Sequence, residues 1–347
     1  MAGEGAESRI ALPFDLDASG RHAGYLRAPL SRNTSAWGIV EIPIVVIRNG
    51  DGPTALFTGG VHGTEYEGQI AISELARTLD PAAVQGCVIL MPTVNVPAVL
   101  ANTRISPIDG RDLNRCFPGD PRGNFNDMLA HFIDAVILPR VDLSVDVHSC
   151  GQGGDSALST NMHAIPDAAL MARTLAAAEA FGAPYNVVFG GIDEGATLTS
   201  SVERRGIVSL GTEVGGWGRV HIEGLAVVRR GLRNILAHMG IIEGAPETDT
   251  PTRHMQVPDR SFYEFSPAVG TFEPCHLAGQ DVRAGELAGR LHFVEDLDRT
   301  PHEVRYRRDG VLWMAAGPGR MDRGNRLTVV MTDYQQETGA LTAPQGG

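Results

Sequence analysis

Three short strand-like runs in this chain end on a residue able to bind a metal or a proton. Pro53-Thr-Ala-Leu-Phe-Thr58 leads through Gly59-Gly60-Val61 into His62, Val141 to Val147 runs straight into His148, and Ile207-Val-Ser-Leu-Gly-Thr212 stops at Glu213. Between and around them lie segments of a different period. From Glu67 the apolar residues Ile70, Ile72, Leu75, Ala76 and Leu79 suit a helix packed on a sheet. Phe125 to Leu138, the alanine-rich stretch Asp167–Phe181, and Glu223–Met239 also read as helices, while 37–48 and Cys87–Met91 read as further strands. Strands alternating with helices predict an α/β fold whose sheet carries helices on both faces. In such sheets ligands gather at the carboxyl ends of the strands. His62, His148 and Glu213 all follow directly on a strand, so one site is expected to hold all three.

The C-terminal quarter obeys other rules. After the polar, proline-bearing connection Ala245-Pro-Glu-Thr-Asp-Thr-Pro-Thr-Arg253, helical periodicity stops and turns recur at Ala278-Gly-Gln, Arg283-Ala-Gly-Glu, Arg308-Asp-Gly and Asp322-Arg-Gly-Asn. Residues 1–250 are therefore expected to form the larger domain and 251–347 a small all-β one, with a loose tail over the last dozen residues. Gly270-Thr-Phe-Glu-Pro, Val282-Arg-Ala-Gly-Glu-Leu-Ala-Gly and Gly324-Asn-Arg-Leu-Thr-Val-Val resemble the barrel-sandwich pattern of biotinyl and lipoyl domains. No lysine occupies the hairpin that carries the cofactor in those domains, which argues against a swinging arm.

Bulk properties narrow the function. At 347 residues, with 43% hydrophobic and 20% charged residues, the chain has the composition of a globular enzyme. A net charge of -12 argues against a nucleic-acid partner, which calls for a basic face. The start, Met-Ala-Gly-Glu-Gly-Ala-Glu-Ser, has neither the basic nor the apolar region of a signal peptide, and no apolar run approaches the ~20 residues of a membrane span. Cys87, Cys116, Cys150 and Cys275 are scattered without a CxxC pair. They read as incidental thiols in a reducing cytoplasm, with Cys150 set apart by lying two residues beyond His148.

The chemistry is concentrated in Thr58-Gly-Gly-Val-His-Gly-Thr-Glu-Tyr-Glu-Gly68. His62 and Glu65 stand three apart on a glycine-flanked turn, and His148 adds a second imidazole. Two His and one carboxylate are the ligand set of a catalytic zinc that leaves a position for water. Asp146 is placed to orient the His148 imidazole from behind. Glu213, in Leu210-Gly-Thr-Glu-Val-Gly-Gly216, is a candidate general base and acid. The loop Asn102 to Gly119 contributes Arg104, Arg111, Asn114 and Arg115, a set suited to gripping a carboxylate and steadying an oxyanion. The bland counterparts are a loop histidine, a loop-facing acid and a solvated basic surface.

Together GGxHGxE, DLNRxFPG, DxHS and the later TE resemble the succinylglutamate desuccinylase/aspartoacylase family of zinc amidohydrolases, related to the zinc carboxypeptidases, over nearly the whole chain. The resemblance implies a mixed sheet of the zinc carboxypeptidase type and one zinc per chain on His62, Glu65 and His148. It implies Glu213 as general base and acid, Asn114 and Arg115 as binders of the substrate carboxylate, and Arg104 as the group polarising the scissile carbonyl. Within the family, Ser35-Ala-Trp-Gly and Thr103-Arg-Ile-Ser-Pro-Ile-Asp-Gly resemble the N-acetyl-diaminobutyrate deacetylases of ectoine breakdown. Ser149-Cys-Gly-Gln-Gly-Gly-Asp155 and Gly-Gly-Trp-Gly-Arg219 depart from that subgroup, in loops expected to border the substrate pockets. The expected activity is hydrolysis of the amide of a small N-acylated amino acid, in a homo-oligomer with no membrane or nucleic-acid partner. A metallocarboxypeptidase acting on short peptides and a non-catalytic metal- or metabolite-binding protein are the alternatives.

Overall fold

The strand ends singled out above are brought side by side. The structure, a computed structural model, describes residues 7–190 and 195–335, so the expected loose tail lies outside the described residues. It begins with a long hairpin, β1 (Gly20–Arg32) and β2 (Ser35–Asn49). There follow β3 (Thr54–Gly59), α1 (Glu67–Thr78), β4 (Gly86–Met91), α2 (Val96–Ala101), α3 (Phe125–Phe132) and β5 (Leu143–Val147). Next come β6 (Gly154–Ser156), β7 (Ser159–His163), α4 (Ala168–Phe181), β8 (Tyr185–Phe189), α5 (Leu198–Arg204), β9 (Val208–Glu213) and α6 (Ile222–His238).

The sheet runs β1-β2-β4-β3-β5-β9-β7-β8. Its centre, β4-β3-β5-β9, is parallel, while the β1/β2, β2/β4 and β7/β9 pairs are antiparallel, which makes the sheet mixed. Strands β3, β4 and β5 are buried at every position, as central strands covered on both faces must be. One face packs on α1, α4 and α6 through Ile72, Leu75, Phe181 and Ile235. The other packs on α3 and α5 through Phe125, Leu129, Leu198 and Val202. The register Gly59↔Val147 and Asp146↔Gly211 sets the carboxyl ends of β3, β5 and β9 in a row. Helix α1 can begin close against these ends because Gly68 has no side chain: a Cβ there would sit 2.7 Å from Cβ of Val147.

Phe125 to Leu138 is not one helix. The α-helix ends at Phe132, Ile133–Ile137 continues as a π turn, and Leu138–Arg140 is a 3-10 turn. Pro139 lacks the N–H that would continue the ladder, so the last turns change register.

The C-terminal strands are β10 (Arg253–Val257), β11 (Tyr263–Phe265), β12 (Gly270–Pro274), β13 (Asp281–Val282), β14 (Leu287–His292), β15 (His302–Arg305), β16 (Gly310–Ala316), β17 (Arg320–Met321) and β18 (Arg326–Asp333). A small antiparallel sheet, β15-β14-β12-β17, stands apart. The rest is fused to the larger sheet. Strand β10 pairs in parallel with β8 and antiparallel with β18, and β16 pairs with β6. Trp313 on β16 also donates its indole N–H to Oγ of Ser159 at 3.0 Å. The β region is thereby anchored to the segment that follows His148. Among the described residues no helix is long and apolar enough to cross a membrane.

Candidate active site

The turn after β3 carries His62 and Glu65. Gly63 inside it lies so close to the carbonyl of Ala98 that a Cβ would collide, and its N–H donates to the carbonyl of Thr103 at 2.9 Å. That packing presses the turn against α2 and the arginine loop. His148 leaves β5 with its backbone fixed by Thr212, whose hydroxyl lies 3.0 Å from the His148 N and 2.9 Å from its carbonyl oxygen.

These elements bring the two imidazoles onto one carboxylate. Nδ1 of His62 is 2.8 Å from Oε1 of Glu65, and Nδ1 of His148 is 2.8 Å from Oε2. The other ring nitrogens face outward to further acids: Nε2 of His62 lies 3.1 Å from Asp112, and Nε2 of His148 lies 2.7 Å from Asp146. Asp146 in turn accepts a 2.6 Å hydrogen bond from the Thr58 hydroxyl. His62, Glu65 and His148 offer ligand atoms within 4.8 Å of one another and could hold a metal ion. The fit rests on the donor set. Asp112 and Asp146 engage the Nε2 atoms, which fixes each ring with Nδ1 turned to the shared position, the carboxylate–histidine arrangement found behind metal ligands.

The electrostatics agree with a cation-seeking group. Burial opposes ionisation of Glu65, but His62 and His148 override it and hold the carboxyl far below its usual range. Burial would likewise lower the His148 pKa, yet Asp146 and Glu65 hold it well above its ordinary value. Asp112 is also held low, with hydrogen bonding to His62 and the charge of Arg104 outweighing its burial.

Glu213 behaves oppositely. Burial, with the nearby charge of Glu65, pushes its carboxyl up to about 7. Its Oε2 is buried and has no hydrogen-bond partner among the described residues.

Arg104 reaches over the His62–Glu65–His148 group. Its Nε and Nη2 bind Asp112 at 3.1 and 3.0 Å, which leaves Nη1 3.8 Å from Oε1 of Glu65. Asn114 accepts from the amide of Leu198 at 2.9 Å, which ties the loop to α5. Arg115 is exposed, donates to the Asn114 carbonyl at 2.7 Å, and contributes to the field on Asp112. Arg111 is turned away and pairs with Asp127 on α3. Cys150 is a free thiol outside the ligand group, and burial with the Glu213 charge pushes its pKa well up.

Comparison with known proteins decides the lineage. The profile of the succinylglutamate desuccinylase/aspartoacylase catalytic domain matches residues 51–239. The chain belongs to this family. It is 39% identical over 329 residues to the N-alpha-acetyl-L-2,4-diaminobutyric acid deacetylase of Halomonas elongata, covering 94% of this chain and 96% of that one. Its fold matches a succinylglutamate desuccinylase/aspartoacylase structure from Rhodobacter sphaeroides with a TM-score of 0.92 and 62% identity, over 95% of this chain and 100% of that one. It also matches the product-bound ectoine utilization protein EutE (DoeB) from Ruegeria pomeroyi, with a TM-score of 0.91 and 39% identity, over 94% of this chain and 100% of that one.

Several residues of this family member's site lie outside the sequence reading. Asp112 was in plain view as the first letter of the DLNR motif, yet it touches both His62 and Arg104. Glu67 is buried and accepts from the amide of His221 at 2.7 Å, joining α1 to the N-terminus of α6. Burial holds its carboxyl above the ordinary range, against the pull of that amide. Arg326, on β18, has no local signal at all and reaches the loop after His148.

Proposed function

We propose that this protein hydrolyses the amide bond of a small N-acylated amino acid, with a divalent metal, zinc by preference, on His62, Glu65 and His148. The observation that carries the reading is Glu213. A half-buried carboxylate whose Oε2 is buried without a hydrogen-bond partner among the described residues, and whose pKa is pushed up to about 7 beside a His-Glu-His group, is suited to accept a proton and return it.

A metal bound at these ligands supplies Lewis acidity, which acidifies water and polarises a carbonyl. The chain does the rest. Glu213 takes the proton from the attacking water and later delivers it to the departing amine. Arg104, held by Asp112, presents Nη1 where charge develops on the acyl oxygen. Asn114 and Arg115 anchor the substrate carboxylate and so orient the scissile bond. The C-terminal β region walls the Glu213 side through β16, which pairs with β6, and through Arg326. By analogy with the Halomonas relative, Nα-acetyl-L-2,4-diaminobutyrate is the first substrate to try.

The test is amine release by zinc-loaded protein from acetyl, succinyl and aspartyl derivatives of several amino acids, with short peptides alongside. Release from an acyl amino acid that stops on chelation and returns with zinc is the expected result. Silence across the acyl panel from protein carrying one metal per chain overturns the reading, and preference for peptides replaces it with a metallocarboxypeptidase.

A further inference from the structure

The first residue of β18, Arg326, comes from the C-terminal β region yet lies against the loop that leaves His148. Strand pairing explains how: Ala316 of β16 is opposite Gly154, and Ala315 opposite Asp155. A guanidinium projecting from the adjacent strand then meets the loop. Nη2 of Arg326 donates to the carbonyl of Gly153 at 3.2 Å. Gly154 is required for this approach, because a Cβ there would lie 2.8 Å from the same Nη2. The loop is braced from its far side by Trp217 and Cys150, whose amides donate to the carbonyls of Gly154 and Gly215 at 2.8 and 2.9 Å.

One nitrogen of this guanidinium is left over. Nη1 is buried and has no hydrogen-bond partner among the described residues. Oε2 of Glu213 is in the same condition, and the two are not bonded to each other. They nevertheless share one neighbourhood: the loop that Arg326 reaches is bonded at Cys150 and Ser156 to Gly215, two residues beyond Glu213, at 2.9 and 3.1 Å, and Glu213 itself pairs with Ser159. A buried guanidinium nitrogen without a partner is unfavourable, and a planar anion is the group that best satisfies it.

We infer that Arg326 is a specificity-determining residue, a cation lent by the β region that binds a carboxylate of the substrate on the Glu213 side of the site. Arg326 comes from a different part of the chain than Arg104 and Arg115, which belong to the loop 102–119 and gather around Asp112, although the Arg104 charge also reaches Glu213. The inference rests on the deacylase reading. The carboxylate comes either from the amino-acid part of the substrate or from the far end of a dicarboxylic acyl group.

Four substrates separate these sources: an N-acetyl amino acid, its α-carboxamide, the N-succinyl analogue, and the N-succinamoyl analogue in which the acyl tail ends in an amide. In wild-type protein, neutralising the recognised carboxylate should lower kcat/KM by about 30-fold or more. In Arg326→Gln that discrimination should shrink to about threefold or less, with metal content and circular dichroism unchanged. Whichever carboxamide loses its penalty names the source. If Arg326→Gln instead slows every substrate by one factor, Arg326 is a strut between β18 and Gly153, and the assignment falls. It falls too if the wild type treats acids and amides alike.

Should Arg326→Gln fold poorly, Arg326→Lys carries the test. It keeps the charge without the planar fork, so the acid-over-amide preference should drop several-fold. An undiminished preference overturns the assignment. If the wild type hydrolyses none of the four, the deacylase reading has failed, and calorimetric titration of the same acids and amides into metal-loaded protein still judges Arg326. Preferential binding of an acid that weakens at least tenfold in Arg326→Gln sustains it, and any other result overturns it.

Discussion

On the Asp112 side of the site every imidazole nitrogen and every carboxylate oxygen has a partner, whereas on the Glu213 side Oε2 of Glu213, Nη1 of Arg326 and, in the loop that Arg326 reaches, Oδ1 of Asp155 are buried and have none among the described residues. The first arrangement fixes its groups in advance, and what it fixes is a concentration of negative charge facing one point. Glu65, Asp112 and Asp146 surround two imidazoles, so a cation entering there finds its ligands already oriented. The second arrangement is held by backbone and strand pairing, while its functional atoms stay unpaired. A carboxylate that must exchange a proton has to be free of fixed donors, and a guanidinium that must recognise a ligand has to keep a nitrogen unengaged. On the proposed reading, the satisfied groups are those that would position a metal, and the unsatisfied ones those that would meet the substrate.

Breaking the unsatisfied side should have the largest effect. Glu213→Gln keeps shape and burial but removes the proton acceptor, so kcat should fall on the order of 10³-fold while one metal per chain remains bound. Steady-state kinetics beside metal analysis decide it, and activity within tenfold of wild type would remove Glu213 from the chemistry. Breaking the satisfied side should show in the metal. Asp112→Ala and Asp146→Ala should each weaken metal binding by about 10–100-fold in competition with a chelator. They should differ in turnover, because Asp112 also holds Arg104 and Asp146 does not. Equal kcat in the two variants would dissolve that distinction.

The Glu213 carboxyl also sets a pH dependence. In the proposed role of base it works ionised, so kcat/KM should rise with pH along an acid limb. A bound cation favours ionisation, which places the midpoint at or below about 7. In metal-free protein the same raised pKa acts on stability. The folded state holds this proton more tightly than the unfolded state, so its stabilising contribution is complete below about 4.5 and lost as pH rises through about 7. Metal-free Glu213→Gln should therefore match wild type in stability below about pH 4.5 and exceed it at pH 8. Denaturant unfolding at the two pH values reads this directly, and parallel profiles would show that burial does not strain Glu213.

The same contrast explains what the sequence made legible. The candidate metal-binding side is local: His62 and Glu65 share a turn, and each candidate follows a strand whose apolar pattern is visible. The parallel centre of the sheet was readable for the same reason, since β3, β4 and β5 are short and buried throughout. Strands β1 and β7 were not. Gly20–Arg32 is a half-exposed hairpin arm rich in small and charged residues, and Ser159-Thr-Asn-Met-His163 is polar although central. Neither carries the hydrophobic signal that burial usually imposes. Asp112 escaped because a carboxylate beside arginines reads as their partner, and only distance shows it on His62. Arg326 could not be found at all: it stands 178 positions after His148 in the chain and arrives through the pairing of β16 with β6.

Within the arginine loop the comparison can be made finer. Arg115 is exposed beside Asn114, so Arg115→Ala should raise KM for carboxylate-bearing substrates about tenfold with kcat held within a factor of two or three. An unaltered KM would take Arg115 out of the carboxylate clamp and leave Arg326 as the cation with an unengaged nitrogen.

Arg111 is the inner control for all of these. It belongs to the same loop, carries the same charge, and would be grouped with Arg104 and Arg115 by any count of basic residues. Its guanidinium is engaged with Asp127 on α3 and not with Asp112, so its charge is already answered on the outer side of the loop. That pair is partly exposed, with Arg111 at 39% and Asp127 at 16% side-chain accessibility. Solvent screening limits such a bridge to below about 1 kcal/mol of stability. Arg111→Ala should thus lower the unfolding midpoint slightly and leave kcat/KM within about twofold, the smallest response in the series. A loss comparable with that of Arg115→Ala would mean that the loop works through its summed charge, and the assignment of separate tasks to individual arginines would have to be abandoned.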